Sequence, residues 1–129
     1  MQANITVVAG NLVRDVELRY TPNGKAVCNL NLAINNTYGK GEEKKQDTVF
    51  MDVVVWNGMA EACNNYISKG SPIYVEGRLS QESWEDKEGK KRSKIKIIAT
   101  RVQFLGPKKE EKEIDIEEVL DETIPTEAI

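Results

Sequence analysis

The chain has 129 residues, of which 40% are hydrophobic and 30% charged, so it can form one small domain with a short appendage. No run approaches the roughly 18 apolar residues of a membrane span, and the first residues lack the pattern of a signal peptide. We therefore expect a cytoplasmic protein. Histidine is absent, which removes the commonest general base and a major metal ligand.

The net charge of −3 is distributed unevenly along the chain. Residues 1–106 contain 15 Lys and Arg against 12 Asp and Glu, whereas residues 107–129 contain 3 Lys against 9 acidic residues. We expect residues 1–106 to form the folded domain and residues 107–129 to be an acidic, flexible tail. Because charges interact locally, over a Debye length of about 8 Å, such a body can still bind phosphates.

The sequence of the first half of the domain predicts two strands and a long loop. Residues 5–12 form the first strand, and a turn around Pro22 and Gly24 follows it. Residues 27–34 alternate apolar side chains with Asn29 and Asn31, which is typical of a half-buried strand. We interpret the polar residues 35–48 as a long flexible loop.

The sequence of the second half of the domain predicts three more strands and one helix. A strand covers residues 49–56, and apolar residues then recur at helical spacing up to Tyr66. Strands at residues 73–80 and 94–105 enclose a hairpin whose tip lies near Gly89. Five strands with a short helix between the third and fourth predict an all-β, five-stranded Greek-key barrel of the oligonucleotide-binding type. A β-sandwich would more often show seven or more strands.

Aromatic side chains on the predicted strand 49–56 lie on the side away from the core. Met51, Val53 and Val55 share one face, which is the natural core face. Phe50 and Trp56 then project outward together with Asp52, and exposed rings form a sequence-tolerant platform for stacking nucleobases. The alternative is that a loop, the helix or a partner subunit covers both rings.

Trp84 lies in a polar hairpin arm that is followed by many basic residues. A ring beside cations suits a strand with one phosphate per nucleotide, although lysines on an edge hairpin can also serve to prevent aggregation. Tyr38 precedes Lys44 and Lys45 and repeats this combination more weakly. The basic residues that follow Trp84 most closely are Lys87, Lys90, Lys91, Arg92, Lys94 and Lys96.

Other residues leave their roles open or argue against catalysis. Arg14 and Arg19 lie beside acidic residues and could bind phosphate or pair locally. Cys28 and Cys63 are widely spaced, so we interpret them as reduced structural thiols, with a single disulfide as the alternative. No phosphate-binding loop, nucleophile elbow or metal-ligand cluster occurs; strand carboxylates such as Asp52 and Glu76 are more often charge partners. We expect no enzymatic activity, no metal and no cofactor.

Several motifs in matching order resemble those of bacterial single-stranded DNA-binding proteins. They are residues 11–24, 50–56, 69–71 and 74–79, followed by Trp84 with its charged turn and basic strand. The resemblance spans about residues 4–105. It implies an oligonucleotide-binding fold that assembles as a homotetramer and wraps single-stranded DNA. It maps the family's stacking aromatics onto Tyr38, Phe50, Trp56 and Trp84, and implies that Arg78 and the nearby lysines contact phosphates.

The tail departs from the family pattern. Family members usually carry a longer linker that ends in an acidic tip with Ile-Pro-Phe, whereas this chain ends with Ile124-Pro125 and a terminal Ile129. The resemblance implies that such a tip recruits replication and repair proteins. The tail of this chain lacks the terminal aromatic side chain that a partner's basic pocket would capture, which argues against such recruitment. The acidic tail can instead compete with DNA for the basic surface.

Together these features predict a non-enzymatic protein that binds and protects single-stranded DNA during replication, recombination and repair, largely without sequence preference. The alternative is a protein-interaction subunit with the same fold, in which a partner protein buries the outward aromatics.

Overall fold

The computed structural model of the protein describes residues 1–107, which form six β-strands and one α-helix. The strands are β1 (Thr6–Leu12), β2 (Glu17–Tyr20), β3 (Ala26–Tyr38), β4 (Lys45–Trp56), β5 (Pro72–Glu85) and β6 (Lys91–Phe104), and the helix α1 (Asn57–Tyr66) joins β4 to β5. No helix among these residues has the length and apolar character needed to cross a membrane. The predicted acidic tail, apart from Pro107, lies outside the described residues.

The sheet closes on itself to form a barrel. Its strand order is β1-β5-β6-β4-β3-β2, and β1 also pairs with β3. That closing contact is antiparallel and joins Asn11 to Ala33 and Leu12 to Leu32, while β4 and β6 pair in parallel. Strand β2 adds four residues to the edge of β3 and was not predicted. The predicted five-stranded oligonucleotide-binding barrel, with one helix between its third and fourth long strands, is confirmed.

Period-two alternation builds the core of the barrel. Leu30 and Leu32 of β3, Val53 and Val55 of β4, and Ile73 of β5 are completely or almost completely buried. The core thus consists of the faces that alternation predicts. Helix α1 covers one end of the barrel with Ala60 and Cys63, and both cysteines are free and buried.

The prediction of a flexible loop at residues 35–48 is wrong. Strands β3 and β4 continue beyond the barrel as a two-stranded arm, paired from Asn35 with Thr48 to Tyr38 with Lys45. The Thr48 hydroxyl donates to Asn35 Oδ1 across the ladder at 2.8 Å. This arm is polar because both of its faces meet water, so its composition resembles that of a loop although its backbone is fully paired.

A second arm extends from β5 and β6 and ends at the predicted tip. Pairing continues to Glu85 and Lys91. The Asp86 carboxylate organises the turn by accepting hydrogen bonds from the backbone N–H of Glu88 and of Lys90 at 2.9 Å. The Lys90 backbone N–H, and after it the Arg92 guanidinium, lower the pKa of Asp86. The turn thus projects a basic strand end into solvent.

Candidate nucleic-acid interface

The four aromatic side chains singled out in the sequence are exposed. Phe50 has 70% of its surface in contact with solvent, and Tyr38, Trp84 and Trp56 have 50%, 46% and 36%. None of them belongs to the buried core cluster. The interpretation that the helix or a loop of the same chain covers these rings therefore does not hold within residues 1–107.

Phe50 and Trp56 lie on the outward face of β4, as predicted. They are six positions apart, which corresponds to about 20 Å at 3.4 Å per residue. Val54 shares this face yet is only 7% exposed, because it lies beside Ile98 of β6 in the parallel ladder. The two rings therefore lie at separate points along one strand, with Asp52 and the covered Val54 between them on the same face.

A continuous surface joins Phe50 to Trp84. Asp52 follows Phe50 by two residues on the same face, and its carboxylate forms an ion pair with Lys94 of β6. Arg92 precedes Lys94 by two residues, so both side chains lie on the same face of β6. Arg92 lies directly opposite Trp84 in the β5–β6 ladder. Opposed residues in such a ladder have Cβ atoms about 5 Å apart. Phe50, Asp52, Lys94, Arg92 and Trp84 thus form one strip, which we call the outward strip.

Tyr38 and the lysines near it do not belong to the outward strip. Alternation along β3 places Tyr38 on the side of Ile34, opposite to the side that carries Asn29 and Asn31. Lys45 pairs with Tyr38, and Lys44 follows the 3-10 turn Gly41–Glu43 at the tip of the arm. Phe50, just before the β3–β4 arm begins, and Tyr38, near the tip of the arm, therefore lie on opposite faces of the paired strands β3 and β4.

The basic residues differ in whether a carboxylate already holds them. Arg92 Nε lies 2.9 Å from Asp86 Oδ2, and Lys96 Nζ lies 3.1 Å from Glu82 Oε1. Lys94 is held by Asp52. Arg78 opposes Ile98 and so lies on the outward face. Within residues 1–107, the predicted basic site residues that form no ion pair are Arg78, Lys87, Lys90, Lys91, Lys44 and Lys45.

The two strand carboxylates interpreted as charge partners do form ion pairs. Asp52 contacts Lys94, and Glu76 lies 3.4 Å from Arg101. Asp52 also accepts a hydrogen bond of 2.6 Å from Asn31 Nδ2. Lys94 first, then Asn31 and Arg14, keep the pKa of Asp52 below its ordinary value of 3.8, against the opposing effect of burial. Asp52 is therefore ionised at neutral pH.

A polar cleft that no single segment of the sequence predicts surrounds Asp52. It has a volume of about 440 Å³ and lies between β2, β3, β4 and β6. Its polar lining comes from Arg14, Asp15, Glu17, Arg19, Asn29, Asn31, Asp52 and Lys94. The polar alternation of Asn29 and Asn31 was a signal for one wall. The register that places Asn31 opposite Asp52 cannot be obtained from either strand alone.

Comparison with known proteins agrees with this fold. A solved structure described as a Plasmodium falciparum SSB complex with single-stranded DNA has a TM-score of 0.75 at 21% identity, and the match covers 82% of this chain and 97% of that one. Since the identity is low, this match shows the fold, which is the oligonucleotide-binding barrel. The model of the single-strand binding protein family matches residues 3–105.

Sequence relatives define the family. A single-stranded DNA-binding protein of Helicobacter hepaticus is 45% identical over 106 residues, which are 81% of this chain and 62% of the relative. Single-stranded DNA-binding protein 2 of Staphylococcus aureus is 42% identical over 110 residues, which are 85% of this chain and 78% of the relative. This chain therefore belongs to the single-strand binding protein family. The match spans less than two thirds of the H. hepaticus protein.

Proposed function

We propose that this protein binds and protects single-stranded DNA during replication, recombination and repair, largely without sequence preference and without catalysing a reaction. The observation that carries the proposal is the outward strip, where Phe50 and Trp84 stand in solvent on either side of Arg92 and Lys94. Membership in the single-strand binding protein family, whose relatives carry the name of this activity, supports it.

Base stacking and phosphate contacts both contribute to binding in this proposal. Every nucleobase has a π-face, and a base stacked on an aromatic ring contributes about 1–3 kcal/mol. Phe50, Trp56, Trp84 and Tyr38 are the stacking residues in this proposal. Because Tyr38 and Phe50 lie on opposite faces of the paired strands β3 and β4, a single strand that touches both rings has to pass around the β3–β4 arm.

Phosphate contacts come from two groups of cations. Arg78, Lys44, Lys45, Lys87, Lys90 and Lys91 have no carboxylate partner within residues 1–107. Arg92 has to exchange Asp86 for a phosphate oxygen, whereas Lys94 stays paired with Asp52 and can reach a phosphate only through its remaining protons, so both contribute less net affinity. Both groups release counterions from DNA, which makes binding dependent on salt. Duplex DNA hides its base faces, so it can use only the charge component.

Fluorescence anisotropy with labelled oligo-dT and with a duplex of equal length tests the proposal at about 50 and 200 mM salt. We expect tighter binding of oligo-dT at both salt concentrations. As an example, a complex with three phosphate contacts would lose about twentyfold in oligo-dT affinity between the lower and the higher salt concentration. Equal affinity for both forms of DNA would contradict the stacking mechanism. An assembly that dissociates on Phe50→Ala or Trp84→Ala, with DNA affinity unchanged, would support a protein-interaction subunit instead.

We also propose that the protein acts as a homotetramer in the cytoplasm, the compartment that holds bacterial DNA. The family resemblance implies the tetramer, and strand β1 offers a suitable edge. Only Asn11 and Leu12 of β1 pair with β3, and Val7 and Ile5 are exposed. An unpaired strand edge can pair with another copy. Sedimentation equilibrium of Val7→Glu tests this: we expect smaller species than for the unaltered chain, and an unchanged mass would contradict the proposed edge.

Residues 1–106 form the DNA-binding domain in this proposal, and residues 107–129 are an acidic tail that competes with DNA. Removing the tail then tightens oligo-dT binding at low salt, because six net negative charges are removed from the same molecule. An unchanged affinity at low salt would contradict the competition. Contact with replication and repair proteins through the tail is tested by pull-down with the full chain and the truncated chain.

A further inference from the structure

The polar cleft beside Phe50 differs in charge from the rest of the proposed interface. Its lining holds three cations and three carboxylates, namely Arg14, Arg19 and Lys94 with Asp15, Glu17 and Asp52. A phosphate that entered the cleft would meet as many negative as positive groups, so electrostatic attraction would be largely cancelled. A neutral group that carries both hydrogen-bond donors and acceptors on one edge fits this lining better.

Asp52 has hydrogen-bonding capacity left on the cleft side. Its Oδ1 accepts from Asn31 Nδ2 at 2.6 Å, and its Oδ2 contacts Lys94 Nζ. An ionised carboxylate accepts about four hydrogen bonds, so each oxygen retains one site. The side chain is 20% exposed. Asn31 and Lys94 therefore hold the carboxylate in place while it can still accept two more hydrogen bonds.

The position of the cleft brings nucleobases to it. Asp52 follows Phe50 by two residues on one face of β4, which is about 7 Å along the strand. Trp56 lies about 14 Å beyond Asp52 on the same face. A strand whose bases stack on these rings therefore passes over the cleft, and a base between the two rings can turn its Watson–Crick edge toward Asp52.

Among the four bases, guanine complements this arrangement best. Its Watson–Crick edge has two adjacent donors, N1–H and the N2 amino group, which match the two oxygens of a carboxylate. Its O6 acceptor lies beside them, and Lys94 has further protons to donate. Thymine has one donor between two carbonyl oxygens, and the carbonyls would face the carboxylate. Cytosine and adenine each place one amino donor beside a ring nitrogen that accepts.

We propose that the polar cleft binds the Watson–Crick edge of guanine in single-stranded DNA, with Asp52 as the residue that sets this preference. The inference rests on the proposed binding of single-stranded DNA and adds a local base preference to it. The aromatic rings supply affinity for any base, while Asp52 and Lys94 add affinity where a guanine reaches the cleft.

The test uses oligo-dT that carries isolated guanines at regular intervals, which avoids the guanine runs needed for quadruplexes. A matched oligonucleotide carries hypoxanthine at the same positions; hypoxanthine keeps O6 and N1–H but lacks the N2 amino group. We expect the unaltered protein to bind the guanine form at least about fivefold more tightly, the lower bound for a bidentate contact. Equal affinity for the two, with tight binding of oligo-dT, would overturn the inference and leave the proposed function intact. Failure to bind any of the oligonucleotides would overturn both.

Two variants assign the effect to Asp52. In Asp52→Asn the side chain keeps its size, but one of its two acceptor oxygens is replaced by an amide donor. It can then no longer accept from both guanine donors, so the ratio of the two affinities is expected to fall toward one. Glu76→Gln is the matched control, since Glu76 is also a strand carboxylate paired with a cation, Arg101, but lies outside the cleft. Its ratio should equal that of the unaltered protein. A guanine preference that persists in Asp52→Asn would contradict the role of Asp52.

Discussion

Truncation of Phe50 should separate DNA binding from folding. Its side chain is 70% exposed, so Phe50→Ala removes little buried surface and should change the free energy of unfolding by no more than about 0.5 kcal/mol. The same ring is a stacking residue in our account. The loss of about 1–3 kcal/mol of stacking energy corresponds to a fall in oligo-dT affinity of about 5- to 150-fold.

Two control variants make this prediction specific. Val49→Ala changes the neighbouring residue, which is 42% exposed but has no ring to stack; its oligo-dT affinity should stay within about twofold. Leu30→Ala empties a completely buried site and should lower stability by about 2–5 kcal/mol. Anisotropy titrations and urea unfolding measure the two quantities separately. Unchanged DNA affinity in a stably folded Phe50→Ala protein would show that Phe50 is not a stacking residue.

Three further predictions address charge, packing and thiol chemistry. Lys91→Ala should lower oligo-dT affinity and reduce the slope of log affinity against log salt by about 0.7, the value for one phosphate contact on a single strand; an unchanged slope would argue against such a contact. Gly77→Ala places a Cβ against the carbonyl oxygen of Ile98, so we expect about 1–3 kcal/mol of destabilisation; a thermal midpoint equal to that of the unaltered protein would contradict the close approach. The hydrogen bond to Cys28, together with burial, raises the pKa of the Cys63 thiol. It therefore stays protonated through neutral and mildly alkaline pH, and iodoacetamide should label it only after unfolding; rapid labelling of the folded protein would show that the thiol is accessible.

Strands with one buried face could be predicted from the sequence, whereas strands that are exposed to solvent on both faces could not. Around Leu30 and Val53, apolar and polar residues alternate, because one side of each strand packs in the barrel. In the β3–β4 arm no such alternation exists, since residues 35–38 and 45–48 are exposed on both sides. Strand β2 was missed for a related reason, because its four residues are mostly charged or polar and all but Leu18 are exposed.

The exposure of the aromatic residues of β4 could be predicted from the alternation of side chains along this strand. The ion pairs of the neighbouring basic residues could not. Buried Val53 and Val55 fix which side of the strand Phe50 occupies, so its exposure could be predicted from a single segment. The partners of Lys94 and Arg92 depend on strand register and on the turn at Asp86. Asp52 and Lys94 are 42 positions apart, and only the parallel contact of β4 with β6 brings them together. The polar cleft was missed for the same reason.

Exposed rings beside cations are expected to receive unpaired bases in this protein. Trp56→Phe leaves Trp84 as the only tryptophan, so its emission reports directly on the outward strip. Titration with oligo-dT should quench this emission to a saturating value, and a duplex of equal length should leave it nearly unchanged. Emission that stays constant while anisotropy shows oligo-dT bound would contradict the account.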